Sequence, residues 1–309
     1  MRYGKIEGIE PPISRLIIGS MVCTSDDIDA TCALMDAWVE AGGNAIDTAH
    51  IYNGGKSERA LGAWMARRGN RERVVVVDKG AHPNSSGARV YPEAIAEDLS
   101  DSLERLQTPY IDLYLLHRDD TSVPVGPIVE CLDAHAKAGR LRAYGGSNWT
   151  AARIQEANDY AAAHSLLPFV ASSPHLSLAV ASGPMWAGCL NVDAAERAWY
   201  VEKQFPMLPW SSQAAGFFTG RYTPDTHTNA DVERTYYSDE NWARLRRAEE
   251  MGARKGVSAN NIALAYVLHQ PFPIFPLFGP RTVEELNSSL PALDVDLSAE
   301  DLRYLETGG

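Results

Sequence analysis

Four side chains in this 309-residue sequence are of types that could do chemistry together: Asp47, Tyr52, Lys79 and His117. Three of them end or closely follow a short apolar run. Ala45-Ile46 leads to Asp47, with Tyr52 in the turn beyond; Val74–Val77 leads to Lys79; Ile111–Leu116 leads to His117. A phenol of pKa about 10 is a poor proton donor in water. A nearby ammonium stabilises the phenolate and makes the phenol a better acid. A carboxylate paired with that ammonium keeps it charged and oriented. An imidazole beside the phenol orients a carbonyl oxygen or helps relay a proton. This is machinery for protonating an oxygen while hydride reaches the adjacent carbon, and it requires no metal. Singly, each residue has a plainer use: a turn cap, a rim aromatic, a solvated strand end, a satisfied half-buried histidine. Four of them across three consecutive strand ends favour one shared pocket.

The elements that must position them alternate along the chain. Strands are expected at Leu16–Gly19, Ala45–Asp47, Val74–Val77, Ile111–Leu116, Leu141–Tyr144, Phe169–Ala171, Met207–Trp210 and Ile274–Leu277. The valine run is β-branched and apolar on both faces, as in a buried parallel sheet. Helices are expected at Asp27–Ala41, Ser57–Arg67, Pro92–Leu106, Ile128–Ala138, Thr150–His164, Asp193–Lys203, Trp242–Arg254, Ala259–His269 and Val283–Leu290. Pro92 suits a first helical turn, Thr150 a helix cap and Gly139 a helix end. Eight strand–helix units with no boundary linker predict a (β/α)8 TIM barrel with extra helices, a single domain over residues 1–309. A doubly wound sheet would also alternate, but Gly19-Ser20-Met21-Val22-Cys23 is a poor glycine-rich phosphate loop. The segment before Leu16 reads as an N-terminal β-hairpin turning at Glu7-Gly8. Long loops at 175–192, 213–239 and 81–90 would line the barrel mouth.

Composition narrows the partners. Lys and Arg total 28 against 40 Asp and Glu, a net charge of −12. That disfavours a nucleic-acid partner, which wants a basic face. No apolar run approaches the roughly 20 residues needed to cross a bilayer, so no membrane association is expected. Met1–Ile6 lacks the apolar stretch of a secretory signal. Cys23, Cys32, Cys131 and Cys189 form no CxxC or zinc spacing, which fits thiols in the cytoplasm.

The order of motifs resembles the aldo-keto reductase family. Asp47-Thr48-Ala49, then Tyr52, then Gly55-Lys56-Ser57-Glu58 match its strand-ending Asp, Thr-Ala, Tyr and Gly-x-Ser-Glu. Leu99 to His117 matches Leu-x-Arg-Leu, Tyr-Ile-Asp-Leu and the terminal Leu-His. Gly145-Gly146-Ser147-Asn148 follows in order, with Lys79 correctly placed before them. The resemblance spans nearly the whole chain. It implies a (β/α)8 barrel reducing aldehydes or ketones with a nicotinamide cofactor, with Tyr52 as general acid assisted by Asp47, Lys79 and His117.

The resemblance also carries cofactor positions. Ser147 and Asn148 match a pair that binds the nicotinamide carboxamide, although either also suits the start of the helix at Thr150. Ser173 stands where the family usually has Gln. Trp210 stands where an aromatic stacks on the ring, and otherwise reads as a core Trp. Ser211, Gln213 and Gly216 lead into Phe218-Thr219-Gly220-Arg221, which resembles the segment covering the pyrophosphate. Phe278-Gly279-Pro280-Arg281 and the helix after it match the adenosine 2′-phosphate end, with helix-start N–H groups and Arg281 suited to an anion. That implies NADP(H), with NAD(H) as the alternative, because Glu285 replaces Gln or Arg, and Ser288 and Ser289 replace Glu and Asn. Arg221 and Arg281 have the plainer reading of solvated charges.

Met21, His82, Arg118, His175, Trp186, Phe217 and Tyr222 are expected as walls for a small carbonyl substrate, sugar-like or hydroxylated. Three alternatives stay open: a cofactor-sensing auxiliary subunit with little turnover, an alcohol dehydrogenase running the reverse direction, and an isomerase using Lys79 as a Schiff base. Whichever holds, a chain this acidic must supply any anion site with local positive charge.

Overall fold

Residue 17 begins a parallel ladder that runs around a ring. The computed structural model describes residues 1–309. A short antiparallel hairpin, β1 (Tyr3–Gly4) and β2 (Ile13–Ser14), precedes β3 (Ile17–Gly19), β4 (Ala45–Asp47), β5 (Val75–Gly80), β6 (Ile111–Leu116), β7 (Leu141–Ser147), β8 (Ser172–Ser173) and β9 (Leu277–Phe278). The parallel order is β8-β7-β6-β5-β4-β3-β9. The segment around Met207 bridges Ser172 on one side and Ile274 on the other, which closes the ring. This is the expected barrel with its N-terminal hairpin.

Strand alternation explains where the ionisable residues go. Ala45, Val75, Val77, Leu113, Leu115, Ala143 and Leu208 form one apolar cluster inside the ring. Ile46, Val76, Tyr114, Leu116 and Tyr144 belong to the cluster under the helices. With side chains alternating along a strand, Asp47, Lys79 and His117 extend the inward rows Ala45–Asp47, Val75–Val77–Lys79 and Leu113–Leu115–His117. The inside of the barrel is thus hydrocarbon at the bottom and ionisable at the C-terminal rim. Gly145 lies on an inward row of β7, where a Cβ would meet Ala171 O at 2.0 Å, so only glycine lets β7 and β8 approach.

The outer layer is α1 (Ile28–Glu40), α2 (Lys56–Arg68), α3 (Pro92–Leu106), α4 (Val125–Lys137), α5 (Ala151–Ala163), α6 (Ala194–Lys203), α7 (Ala230–Tyr236), α8 (Asp239–Lys255), α9 (Ala259–Leu268), α10 (Val283–Ser289) and α11 (Ala299–Thr307). Thr150 caps α5 through Arg153 N, as its type predicts. No helix is long and apolar enough to cross a membrane.

Several bounds differ from the sequence reading. α4 starts at Val125, directly after Pro124, rather than at Ile128. α8 starts at Asp239 because Ser238 caps it through Asn241 N. The 213–239 loop contains α7, capped by Asn229, and α11 is additional. Ladder pairing falls on Ser172–Ser173 rather than Phe169–Ala171. The expected strand Met207–Trp210 makes only isolated bridges, since Pro206 and Pro209 have no N–H to give.

Candidate active site

Lys79 sits at the centre of the rim. Its Nζ donates to Asp47 Oδ1, to Thr48 O at 2.9 Å and to Tyr52 Oη at 3.4 Å. Lys79 and Asp47 are 2% and 3% exposed, so this is a buried ion pair. Burial pushes the Lys79 ammonium down and the Asp47 carboxyl up. Contact between them opposes both shifts, and for Lys79 it prevails: the ammonium is held above its usual range. Burial raises the Tyr52 phenol, and Lys79 is the largest influence opposing that rise.

Tyr52 reaches the rim from a tight turn. Asn53, Gly54 and Gly55 adopt φ of 51°, 62° and 85°. Asn53 Nδ2 donates to Met21 O at 2.7 Å, Cys23 O at 3.0 Å and Ser57 Oγ at 3.1 Å. Arg105 of α3 packs where a Cβ on Gly55 would fall, and it donates to His50 O at 3.1 Å and Glu58 Oε2 at 3.0 Å. Asn53 and Arg105 therefore fix the turn that presents the phenol. Neither was singled out from the sequence; the signal was Asn-Gly-Gly directly after Tyr52, and the arginine of the Leu-x-Arg-Leu pattern.

His117 is 8% exposed and neither ring nitrogen has a protein hydrogen-bond partner. Its ring stands edge-on to Tyr52 at 5.9 Å and to His82 at 4.9 Å. Burial, then the charges of Lys79 and Arg118, hold its pKa well below the usual value, so the imidazole is neutral. His82 Nδ1 donates to Pro83 O at 2.8 Å, and its pKa is likewise shifted down by burial. The structure thus gathers a phenol, a lysine, a carboxylate and an unpartnered neutral imidazole at one point. A carbonyl oxygen placed there would meet a proton donor backed by a cation, and an imidazole with hydrogen-bonding capacity to spare.

The strand-end pair next to it is already engaged. Ser147 Oγ donates to Ser173 O at 2.9 Å. Asn148 Nδ2 donates to His117 O at 3.2 Å and Ser147 Oγ at 3.1 Å, while its Oδ1 accepts from Leu190 N and Trp210 Nε1, each at 3.1 Å. By contrast Ser173 Oγ is buried with no partner. Trp210 lies between His175, at 4.8 Å, and the half-exposed Trp186, at 5.7 Å. His175 bonds Tyr236 Oη at 2.8 Å, and burial depresses it to about 4.

Beyond Trp210, Ser211 Oγ accepts from Ala215 N at 3.2 Å, Gly216 has φ 84°, and Gln213 reaches Ser289 Oγ at 3.1 Å. The local charge conflict at α10 takes a definite form. Glu285 accepts from Arg281 N at 2.8 Å and Arg281 Nε at 3.0 Å, and stands 4.0 Å from Arg221. Thr282 Oγ1 takes Glu285 N. One carboxylate therefore engages Arg281 through side chain and backbone just ahead of the helix cap, and lies near Arg221. Gly279 has open space beside it.

Among the expected substrate walls, Met21 and Trp186 are about half exposed, at 54% and 47%. Arg118 and His82 cluster with His117. Phe217 has no exposed surface and packs on Trp242 at 4.7 Å, and Tyr222 is buried near Tyr237 at 6.5 Å. Both lie within the layer formed by α7, α8 and the 213–222 loop.

The chain is similar to known proteins over most of its length. The chain is 32% identical over 287 residues to norsolorinic acid reductase stcV of Emericella nidulans, covering 89% of this chain and 70% of that protein. It is 29% identical over 312 residues to an aryl-alcohol dehydrogenase [NADP(+)] of Phanerodontia chrysosporium, covering 90% and 76%. A glycerol dehydrogenase structure from Gluconobacter oxydans superposes with a TM-score of 0.82 at 22% identity, over 98% of this chain and 94% of that one. Residues 15–307 match the aldo/keto reductase family, and the chain belongs to that family of oxidoreductases.

Proposed function

We propose that this protein reduces an aldehyde or ketone to the alcohol with NADPH, and that Tyr52 supplies the proton. The observation that carries the reading is the buried Lys79 ammonium, shared between Asp47 and the Tyr52 hydroxyl 3.4 Å away. The nicotinamide, when bound, supplies hydride to the carbonyl carbon. Tyr52 Oη gives its proton to the carbonyl oxygen, and Lys79 stabilises the phenolate left behind. His117 positions that oxygen through a ring nitrogen that no protein group occupies. The alcohol dehydrogenase direction uses the same groups in reverse, with the phenolate as base.

Ser173 Oγ, Trp210, Ser211, Gln213 and Gly216 are our candidates to hold the dinucleotide, with Arg221, Gly279, Arg281, Glu285 and Ser289 at its far end. The orphaned Ser173 hydroxyl suits the amide of the nicotinamide. Ser147 and Asn148 support that corner from behind, since their side chains are spent on His117 O, Ser173 O and Trp210. NADP(H) is favoured by two arginines on one corner and by the cofactor in a relative's name. The exposed faces of Met21 and Trp186 favour an aromatic carbonyl over a sugar-like one, as does the name of the aryl-alcohol dehydrogenase relative. Four free cysteines suit the cytoplasm.

The test is Tyr52→Phe, followed by NADPH absorbance with a panel of aldehydes and ketones. NADPH binding should survive while reduction falls by at least roughly a hundredfold, the scale of losing a general acid. Wild-type protein that binds NADPH and reduces nothing on the panel would favour the auxiliary-subunit reading instead.

A further inference from the structure

Three arginines of this chain are buried: Arg118, Arg153 and Arg244, at 8%, 7% and 8% exposure. Arg153 holds Asp119 and Glu156, and Arg244 holds Glu240. Arg118 has no carboxylate within 4 Å, in a chain with 12 more acidic than basic side chains. Its Nη1 donates to His117 O at 2.8 Å and its Nε to Ala187 O at 3.2 Å. Its stem lies against Gly188, where a Cβ would meet Arg118 Cδ at 3.1 Å. Nη2 makes no hydrogen bond to the protein. Two backbone carbonyls and a glycine thus hold the guanidinium in place and leave one edge unused.

Removing a guanidinium from water without a counter-ion is costly, and backbone carbonyls offset that only in part. Its bond to His117 O places it beside the reaction centre, since the His117 ring stands edge-on to both Tyr52 and His82. The segment that grips it also carries Trp186, whose half-exposed indole lies on Trp210 with the rings 30° apart. An aromatic face and the backbone that grips an unpaired cation therefore lie on consecutive residues, 186–188.

We propose that Arg118 recognises a carboxylate on the substrate, so that the preferred substrate is an aromatic aldehyde or ketone carrying an acidic group. This rests on the reading of the rim as a carbonyl-reducing site. Trp186 stacks on the ring, Nη2 of Arg118 binds the carboxylate, and the carbonyl faces Tyr52 and His117. The anion completes the charge balance that the protein itself leaves open.

The experiment compares 3- and 4-carboxybenzaldehyde with their methyl esters, using NADPH and wild-type, Arg118→Gln and Arg118→Lys proteins. For at least one isomer, wild type should favour the acid over the ester by roughly tenfold or more in kcat/KM, mostly through KM, the scale of one charge-assisted hydrogen bond. Arg118→Gln should bring that ratio to within about twofold, and Arg118→Lys should retain part of it. No acid preference in wild type with either isomer, or a preference that survives in Arg118→Gln, overturns the proposal. A loss of NADPH affinity in Arg118→Gln without substrate also overturns it, because the guanidinium would then serve the cofactor. Binding of benzoate against benzamide, read by tryptophan fluorescence in wild type and Arg118→Gln, needs no turnover: a benzoate preference lost in Arg118→Gln supports Arg118, and equal binding in wild type, or a preference that survives in Arg118→Gln, overturns it. If wild type reduces no aldehyde yet prefers benzoate, it is the carbonyl-reduction reading that fails.

Discussion

Replacing Lys79 with Met removes the cation bonded to the Tyr52 phenol. The Nζ–Oη distance is 3.4 Å inside a fully buried site. With an effective dielectric of about 20, a unit charge at that distance stabilises a full phenolate by about 5 kcal/mol. If about half that charge has developed at the transition state, the loss is about 2.5 kcal/mol, on the order of a hundredfold in rate. The substitution also strands the buried Asp47 carboxylate, and breaking such a pair costs about 3–5 kcal/mol of stability. The double variant Asp47→Asn, Lys79→Met removes that penalty; it also removes the Asp47 charge, which acts on Tyr52 against Lys79, so it should lose less rate than Lys79→Met alone. The assay is kcat in both directions across pH, with folding followed by thermal melts. Reduction needs the phenol protonated, so it should lose rate across the range below pH 10 without a new pH limb. Alcohol oxidation needs the phenolate. Burial already raises the Tyr52 pKa, with Lys79 opposing, so its removal should move the rising limb of oxidation to higher pH. A double variant that loses less than about fivefold in reduction, with an unmoved oxidation limb, would refute the role given to Lys79.

Two further outcomes follow from charges elsewhere. Asp78 is fully buried, neither carboxyl oxygen has a partner, and burial, then the neighbouring Glu58, raises its pKa well above the ordinary value. The native state therefore binds the proton more tightly than the unfolded chain, and stability present at low pH is lost as pH rises from the ordinary carboxylate range through the raised native value. Asp78→Asn keeps the shape without the charge; it should stabilise by about 1–2 kcal/mol at pH 8 and by less at pH 5, and a melt series showing the opposite order would count against this. Glu285→Gln should release Arg281 and Arg221 and tighten NADPH severalfold relative to NADH, read as the ratio of dissociation constants by nicotinamide fluorescence. An unchanged ratio would remove this corner from contact with the cofactor's phosphate.

The positions of Asp47, Lys79 and His117 were legible because their strands are buried on both faces, and each extends an inward row of small or branched apolar residues. The turn at Tyr52 was legible as a motif but not as a structure, since Asn53 acts through hydrogen bonds to a distant loop. Phe217 and Tyr222 looked like pocket walls from their place in a long loop. α7 and α8 give them aromatic neighbours instead, through contacts with no sequence periodicity. Glu285 was visible as a charge in conflict with a phosphate. That it clasps Arg281 and approaches Arg221 depends on the geometry of two loops meeting. The saturation of Asn148 likewise depends on Trp210 being an indole with an N–H to give.

The ring of strands is not uniform around its circumference. Where Met207 closes it, the acceptors include Pro206 O, Pro174 O, Pro273 O, Pro209 O and Pro276 O beside Ser172 O and Met207 O, and each of those prolines leaves the ladder one donor short. The barrel has a seam, held by fewer bonds than the continuous ladder of β5, β6 and β7. The seam carries the loops that begin at Ser211 and Gly279, so the thinnest part of the wall lies beside the proposed cofactor cleft. Its amides are few, and in hydrogen exchange they should be the first strand amides to take up deuterium, while the valines of β5 hold theirs longest.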